Sequence, residues 1–359
     1  MPKIQSISSF LPPYSYSQDQ ASTLLRNLFN DHYDDLERML KVFQNGDIES
    51  RQFCVPMEWF EHPHDLEERN RLYIELATSY GALAINACLQ NQEFLNESVH
   101  PSEIDGIIFI SSTGFSTPSI DARILNQLPF SDYVKRIPIW GLGCAGGASG
   151  LSRAFDYCLA YPKAKVLVLC VELCSLTFQP NDYSKSNLIG ASLFADGVAC
   201  ALVCGDEVDI VSKKPSPTFV STSSKIMPNS ENVMGWDMKN DGLHVVFSKS
   251  IPSIIEKWLE PFVTEFLLEN ELTSSQLDHF IAHPGGKKVL KKNKKSLGFD
   301  TSKTEISRGI LRKHGNMSSP TVLYVLEDFM KLDCQVGDKG LLTALGPGFS
   351  GELILLEWQ

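Results

Sequence analysis

Three residues could carry chemistry. Cys144 stands in WGLGCAGGASG, where the strand-like RIPIWGLG (136–143) runs into a helix with Leu151, Ala154, Phe155, Cys158 and Leu159 on one face. A helix start offers unpaired N–H groups and a partial positive charge, which favour thiolate over thiol, and thiolate is the nucleophile. The neighbouring glycines allow a tight turn and close approach by a substrate. His283 ends LDHFIAH, before Pro284, Gly285 and Gly286. The C-terminal end of a strand is the usual place for site residues in α/β proteins. Asn316, in HGNMSSP, opens a further helix. Singly, each has a plain structural reading: a packed thiol, a core histidine satisfied by backbone, and an N-cap. Together they would place a nucleophile, a base and an amide donor around one centre, which is acyl-transfer chemistry.

The surrounding elements argue that they do meet. The first hundred residues read as mainly helical, with an apolar-rich helix at 71–89, and strands follow at 104–111, 136–143, 165–172 and 197–205. Strands alternating with helices predict an α/β layered fold. The Lys/Pro/Ser-rich passage 211–225 reads as a linker or domain boundary. Beyond it the plan repeats. LDHFIAH matches IDGIIFI (104–110) in pattern, and Cys144 lies 34 residues after Ile110 as Asn316 lies 33 after His283. After Asn316, Val322, Val325, Leu326 and Phe329 form a helical face, and GLLTALG and ELILLEW close the chain as a strand pair. The expectation is a duplication, residues 1–212 carrying the cysteine and 213–359 carrying the histidine and asparagine.

Composition narrows the function. Of 359 residues, 32 are Lys or Arg and 43 Asp or Glu, a formal net charge of -11, so a general nucleic-acid or anionic-membrane binder is not expected. There is no signal-like start and no run of ~18 uninterrupted apolar residues, so no stable membrane insertion is expected. Nine cysteines, several inside apolar runs, suit reduced thiols in a cytoplasmic protein. Cys170/Cys174 and Cys200/Cys204 have metal-like spacing, but on strands such residues lie ~13 Å apart, so no metal is expected.

WGLGCAGGASGLSRA, HPGG (283–286), GNMSSPTVL (315–323) and ALGPG (344–348) resemble the signatures of type III polyketide synthases, the chalcone and stilbene synthase-like members of the thiolase superfamily. SSTGFSTPSIDARI (111–124) resembles their bacterial branch. The resemblance implies a thiolase-like αβαβα fold of two duplicated halves and a homodimer. The substrates would be an acyl-CoA starter and malonyl-CoA, with no separate cofactor. In bacterial relatives the starter is often fatty acyl and the product an alkylpyrone or alkylresorcinol. Cys144 would carry the acyl chain, and His283 would pair with it as imidazolium. His283 and Asn316 would donate to the malonyl thioester oxygen as CO₂ leaves.

Further positions follow by the same resemblance. Phe194, in ASLFADG, matches the gatekeeper Phe, whereas the second gatekeeper aligns with Val245 rather than an aromatic. Thr117 matches a residue that crosses the dimer interface, Thr177 and Ser318 match cavity-lining positions, and Gly346, Pro347 and Gly348 would shape the cavity scaffold. Trp236 falls near a small residue of plant members and would fill volume. Arg51 is the one clearly placed counterpart of the CoA-holding basic residues. KKVLKKNKK (287–295) adds six lysines after HPGG, so Lys287 and Lys288, with Gly285 and Gly286, are expected at the CoA phosphates. An acyl carrier protein is the alternative acidic partner for that segment.

Three rivals compete. A ketoacyl-carrier-protein synthase III would show His-Gln-Ala-Asn in place of HPGG. A papain-like peptidase would show a CGSCW-like context. A non-catalytic acyl-CoA-binding relative would not need all of Cys144, His283 and Asn316.

Overall fold

The computed structural model describes residues 1–359 apart from residues 34, 211, 249 and 301 and the side chains of residues 31 and 293–296. Its strands are β1 (Lys3–Phe10), β2 (Tyr14–Ser17), β3 (Ser50–Phe53), β4 (Gly106–Ile110), β5 (Lys135–Ile139), β6 (Lys165–Leu173), β7 (Asp196–Cys204), β8 (Pro217–Ile226), β9 (Met234–Lys239), β10 (Gly242–Phe247), β11 (His279–Ala282), β12 (Lys339–Gly346) and β13 (Ser350–Trp358). Nine of them form one mixed sheet in the order β11-β12-β13-β8-β1-β7-β6-β4-β5.

The pairing pattern occurs twice. β4 and β6 are parallel, β6 and β7 antiparallel, β7 and β1 antiparallel. Likewise β11 and β12 are parallel, β12 and β13 antiparallel, β13 and β8 antiparallel. The two sets join where β1 meets β8, and β5 extends the first set as an edge.

Side-chain alternation builds the layers. In β6, Val166, Val168 and Cys170 point into a central core shared with Leu151, Phe155, Val322, Leu326, Leu342 and Ile354. Leu167, Leu169 and Val171 point the other way, onto the helix Leu66–Leu89. Helices Gly146–Ala160 and Thr321–Lys331 thus fill the middle between the two half-sheets, touching strands of both. Phe262 and Phe266 cover the outer face of the second half against Phe280 and Leu341. The result is the αβαβα layering expected. The helix Leu66–Leu89 is long and apolar enough to cross a membrane, yet half of its apolar window is buried inside the protein, as befits a core helix.

Helices dominate the first hundred residues, as expected, but the sequence reading missed β1, which lies centrally in the sheet. Its pattern is masked by Gln5, Ser6 and Ser8, which are buried but bonded: the Ser6 hydroxyl donates to Cys88 O at 2.8 Å. The passage 211–225 is not a linker along its length, since β8 pairs with β13 from Pro217 to Ile226; residue 211 lies outside the described set. Short Ser and Thr side chains suit a strand whose outer end is exposed.

Candidate active site

Cys144 sits in a short turn, Gly143–Ala145, directly ahead of the helix Gly146–Ala160. Gly143 has φ +46°, and a Cβ there would lie 2.9 Å from Pro347. At Gly147 a Cβ would lie 2.3 Å from the Ser319 carbonyl oxygen. Only glycine lets the nucleophile's helix come so close to the loop that carries Asn316. The second half therefore presses on the first at the nucleophile.

His283 continues β11, its N–H donating to Thr343 O at 2.8 Å. Its ring is 4% exposed, and neither nitrogen has a hydrogen-bond partner. Such unpaired buried atoms suit a group that meets its partner only in substrate. Asn316 is not a helix cap: the helix that follows begins at Thr321, with Pro320 in the cap position. Instead its N–H donates to Leu193 O and its carbonyl accepts from Ala195 N, both at 2.9 Å, as one side of a small bridge with Phe194. The Ser318 N–H donates to Asn316 Oδ1 at 2.8 Å, leaving Nδ2 free to donate; both atoms lie 3.8 Å from Cys144 Sγ. Ser318 achieves this at φ +62°, a conformation rare for a side-chain-bearing residue.

Cys144, His283 and Asn316 line one cavity of about 570 Å³. Burial pushes the Cys144 thiol up to about 11, despite hydrogen bonds from Ser318 and Asn316 that lower it. Burial alone pushes His283 down to about 3. Both displacements favour thiol and neutral imidazole over the standing thiolate–imidazolium pair expected from sequence, because each charge would lose its hydration.

Glu172 escaped the sequence reading. It is fully buried on β6 and accepts from Ser112 N and Oγ (both 3.0 Å), Thr113 Oγ1 (2.9 Å) and Ser319 Oγ (2.8 Å). It thereby anchors the Asn316 loop from below. A lone acid inside the apolar run VLVLCVEL was the available signal. Burial pushes its carboxyl up to about 7, outweighing those hydrogen bonds. A raised folded-state value means that folding favours the protonated form. This contribution is complete below the unfolded value of about 4.3 and is lost as pH rises through about 7. His283 acts oppositely: its lowered value makes stability rise with pH between about 3 and about 6.5. Glu172→Gln removes only the first trend. Urea melts from pH 4.5 to 7.5 should therefore show the variant gaining on the parent by about 3 kcal/mol across that range. A constant offset would refute the assignment.

The exposed end of the cavity carries Lys287 and Lys288, with Gly285 and Gly286 along its wall. Lys294 and Lys295 lie outside the described side chains. Arg38, Lys41 and Lys185, which the sequence did not reveal, line the same cavity from two other helices. Arg51 is not with them. It is 2% exposed and donates through Nη1 to the Ala191 and Phe194 carbonyls at 2.6 Å. This corrects its assignment to CoA: the side chain borders the small second cavity beside Phe194 and is shut off from the surface where phosphates would lie.

Phe194 stands between two cavities. Its ring stacks on Phe247 (5.6 Å, 19°) and tilts against Trp236 (5.8 Å). Phe247 faces the Cys144 cavity. Val245 and Thr177 line a second cavity of about 50 Å³ with Phe194, Trp236, Leu24 and Phe60. Sequence alignment put Val245 where a second aromatic belongs; two residues on and on the same face of β10, it is Phe247 that stacks on Phe194. Gly346, Pro347 and Gly348 line neither of these cavities. A Cβ at Gly346 would meet Leu142 O at 2.5 Å, so this loop backs the nucleophile's turn. Ser318 also lines neither cavity; its N–H holds Asn316 and its hydroxyl bonds the Cys144 thiol. Thr117 is exposed and lines neither cavity within one chain.

All nine cysteines are free and buried, and Cys174 lies in a turn beyond β6 rather than on the strand. Among the described residues, one group offers three potential metal ligands within 4.8 Å of one another: His279, Cys334 and Asp338. His279 and Asp338 there already share a hydrogen bond at 2.9 Å.

Duplicated halves that bring a cysteine, a histidine and an asparagine to one buried centre define a thiolase-like condensing enzyme. Residues 12–207 match the chalcone and stilbene synthase N-terminal domain, and residues 218–358 the corresponding C-terminal domain. The chain therefore belongs to the chalcone and stilbene synthase family, the type III polyketide synthases, and is an acyltransferase. It is 50% identical over 359 residues to a Bacillus subtilis (strain 168) protein named "Putative chalcone synthase", covering 99% of this chain and 98% of that one. It is 27% identical to the "Alpha-pyrone synthesis polyketide synthase-like Pks18" of Mycobacterium tuberculosis (strain H37Rv), covering 99% and 90%. The crystal structure of 1,3,6,8-tetrahydroxynaphthalene synthase from Streptomyces coelicolor A3(2), a bacterial type III polyketide synthase, superposes with a TM-score of 0.91 at 30% identity, covering 99% of both chains.

Proposed function

We propose that this protein extends an acyl-CoA starter with malonyl-CoA by decarboxylative Claisen condensation, giving alkylpyrone- or alkylresorcinol-type products. The observation that carries the reading is the single cavity with Cys144, His283 and Asn316 at its buried end and five cationic side chains along its exposed part. Its polarity suits a CoA thioester, with phosphates outside and reacting carbon inside.

The neutral His283 takes the Cys144 proton as sulfur attacks the starter carbonyl. The C–S bond to CoA breaks, and the CoA thiolate leaves with that proton. Malonyl-CoA then occupies the same tunnel. Its bond to the carboxylate breaks, CO₂ departs, and the electron pair enters the enolate. The enolate oxygen accepts hydrogen bonds from His283 and from Asn316 Nδ2, donors fixed before the charge develops. The carbanion forms a C–C bond to the acyl carbon as its bond to Cys144 sulfur breaks, and the released thiolate takes up a proton from solvent to regenerate the resting thiol.

A fatty acyl starter is supported by the apolar lining of the cavity of about 570 Å³, which includes Leu188, Leu193, Phe247, Ile251 and Phe349; the second cavity, of about 50 Å³, is too small for an alkyl chain. We further place Thr117, exposed in the segment after β4, at a homodimer contact where it would reach the partner's cavity, and the enzyme in the cytoplasm, consistent with nine free thiols. An acyl carrier protein could present its thioester at the same basic rim.

The reading is tested by incubating labelled malonyl-CoA with acyl-CoA starters of graded length and identifying the products. Absence of CO₂ release with every starter would leave the non-catalytic alternative standing. In the same assay, reversing charge at Lys287 and Lys288 together should raise the KM for acyl-CoA about tenfold with kcat little changed, and more salt should narrow the gap. An unchanged KM would show these lysines to be a solvated face only.

A further inference from the structure

We infer that Arg51 is a positioning residue for decarboxylation, holding Phe194 and Asn316 in register across the active site. This rests on the condensation reading above, since it assigns Arg51 to one step of that reaction.

The guanidinium lies where the two halves of the protein meet. Nη1 bridges the carbonyls of Ala191 and Phe194, both at 2.6 Å. These are the last-turn and capping carbonyls of the helix Lys185–Leu193, which its own residues leave unsatisfied. A cation is favoured at that end of a helix. The stem runs past Gly315, where a Cβ would lie 2.9 Å from both Arg51 Cγ and Cδ. Gly315, at φ +70°, therefore both turns the chain and makes room for the arginine. The next residue is Asn316, bridged to Leu193 and Ala195 on either side of Phe194. One side chain thus sets the carbonyl of the gatekeeper and the approach of the amide donor.

The site is built for a permanent cation. The rings of Phe43 and Phe53 lie 5.9 and 5.2 Å from the guanidinium carbon. Burial pushes Arg51 down to about 9, partly offset by the Asp196 carboxylate, so it stays charged at neutral pH. Nε and Nη2 have no partner. That cost is hard to explain by stability alone, because an apolar side chain of similar length would avoid it. It is explained if two carbonyls must be held at one fixed separation, which the two coplanar N–H bonds of Nη1 on a rigid guanidinium do and a freely rotating ammonium does less well.

The test compares two half-reactions in Arg51→Met and Arg51→Lys. Loading of Cys144 is followed by the mass of the intact protein after mixing with a starter acyl-CoA. Decarboxylation is followed by CO₂ release from labelled malonyl-CoA. In Arg51→Met, CO₂ release should fall 10- to 100-fold, while loading changes less than about threefold and KM for acyl-CoA is unchanged. Arg51→Lys should recover part of the loss. Should the Met variant not fold, the Lys variant decides alone: lysine keeps the charge but not the rigid guanidinium, so a three- to tenfold loss confined to CO₂ release is expected. A rise in KM for acyl-CoA with normal CO₂ release at saturation would restore the phosphate-binding role and overturn the inference. Proportional loss of both half-reactions would reduce Arg51 to general support and overturn it too. If the parent enzyme itself loads Cys144 but releases no CO₂, the condensation reading fails first and the inference with it.

Discussion

Cys144→Ala should lower chain extension by at least about 10³-fold, to the background of uncatalysed malonyl-CoA breakdown. The loss is this large because the acyl chain has no second place to go. Cys144 is the one cysteine lining the cavity that holds His283 and Asn316. Cys158→Ala is the matched control. Cys158 is equally free and fully buried, but its sulfur faces Ala164 O and Val203 O at 3.8 and 3.9 Å, within the central core. Truncating it removes a small packed group, so a stability cost of about 1 kcal/mol with near-normal turnover is expected. Product formation from labelled malonyl-CoA and thermal melts of both variants make the comparison. Similar activity losses in the two would refute the nucleophile assignment.

Asn316→Ala should divide the reaction. The amide is aimed, through Ser318 N–H on Oδ1, so that Nδ2 meets charge developing on an oxygen in the cavity. Removing one such donor typically costs about 10²- to 10³-fold in the step whose charge it stabilises. CO₂ release from malonyl-CoA should fall by that factor. Starter loading on Cys144 should change less than tenfold, since the amide's contact with the sulfur is long, at 3.8 Å. Loading is read by intact mass and decarboxylation by trapped CO₂. An equal fall in both would mean that Asn316 supports the nucleophile rather than the enolate. The bridge from Asn316 to Leu193 and Ala195 uses only backbone atoms, so the variant should fold.

Much of the site could be read from local sequence. A glycine-flanked cysteine at a strand-to-helix junction marks a place where backbone must pass close to something else, and Gly147 against Ser319 is that approach. His283 before Pro-Gly-Gly marks a strand end that opens on a cavity. The paired strand-and-helix pattern foretold the repeated strand order, because hydrophobic periodicity is set by which faces a segment must bury. What local reading missed was polarity resolved at a distance. β1 looked unlike a central strand because its buried serines are satisfied by groups more than eighty residues away. Arg51 looked like a surface cation because nothing in ESRQF shows that two carbonyls near residue 194 await it. The basic rim looked like one lysine-rich helix, whereas Arg38, Lys41 and Lys185 complete it from elsewhere in the chain.

By itself, then, the sequence determined the family and the candidate chemistry: a cysteine, a histidine and an asparagine at matched places on a duplicated α/β plan, in an acidic chain with one basic segment. Those features depend on residue type and on short-range pattern, which the linear order records directly. The tertiary structure alone decided which cavity each residue faces. It turned Phe247 rather than Val245 toward the nucleophile, moved Arg51 from the ligand to the scaffold, and placed Glu172 beneath the asparagine loop with its carboxyl raised to about 7. The physical reason is that facing, burial and desolvation belong to the packed layers as a whole, and two residues of the same type differ only in what the rest of the chain folds around them.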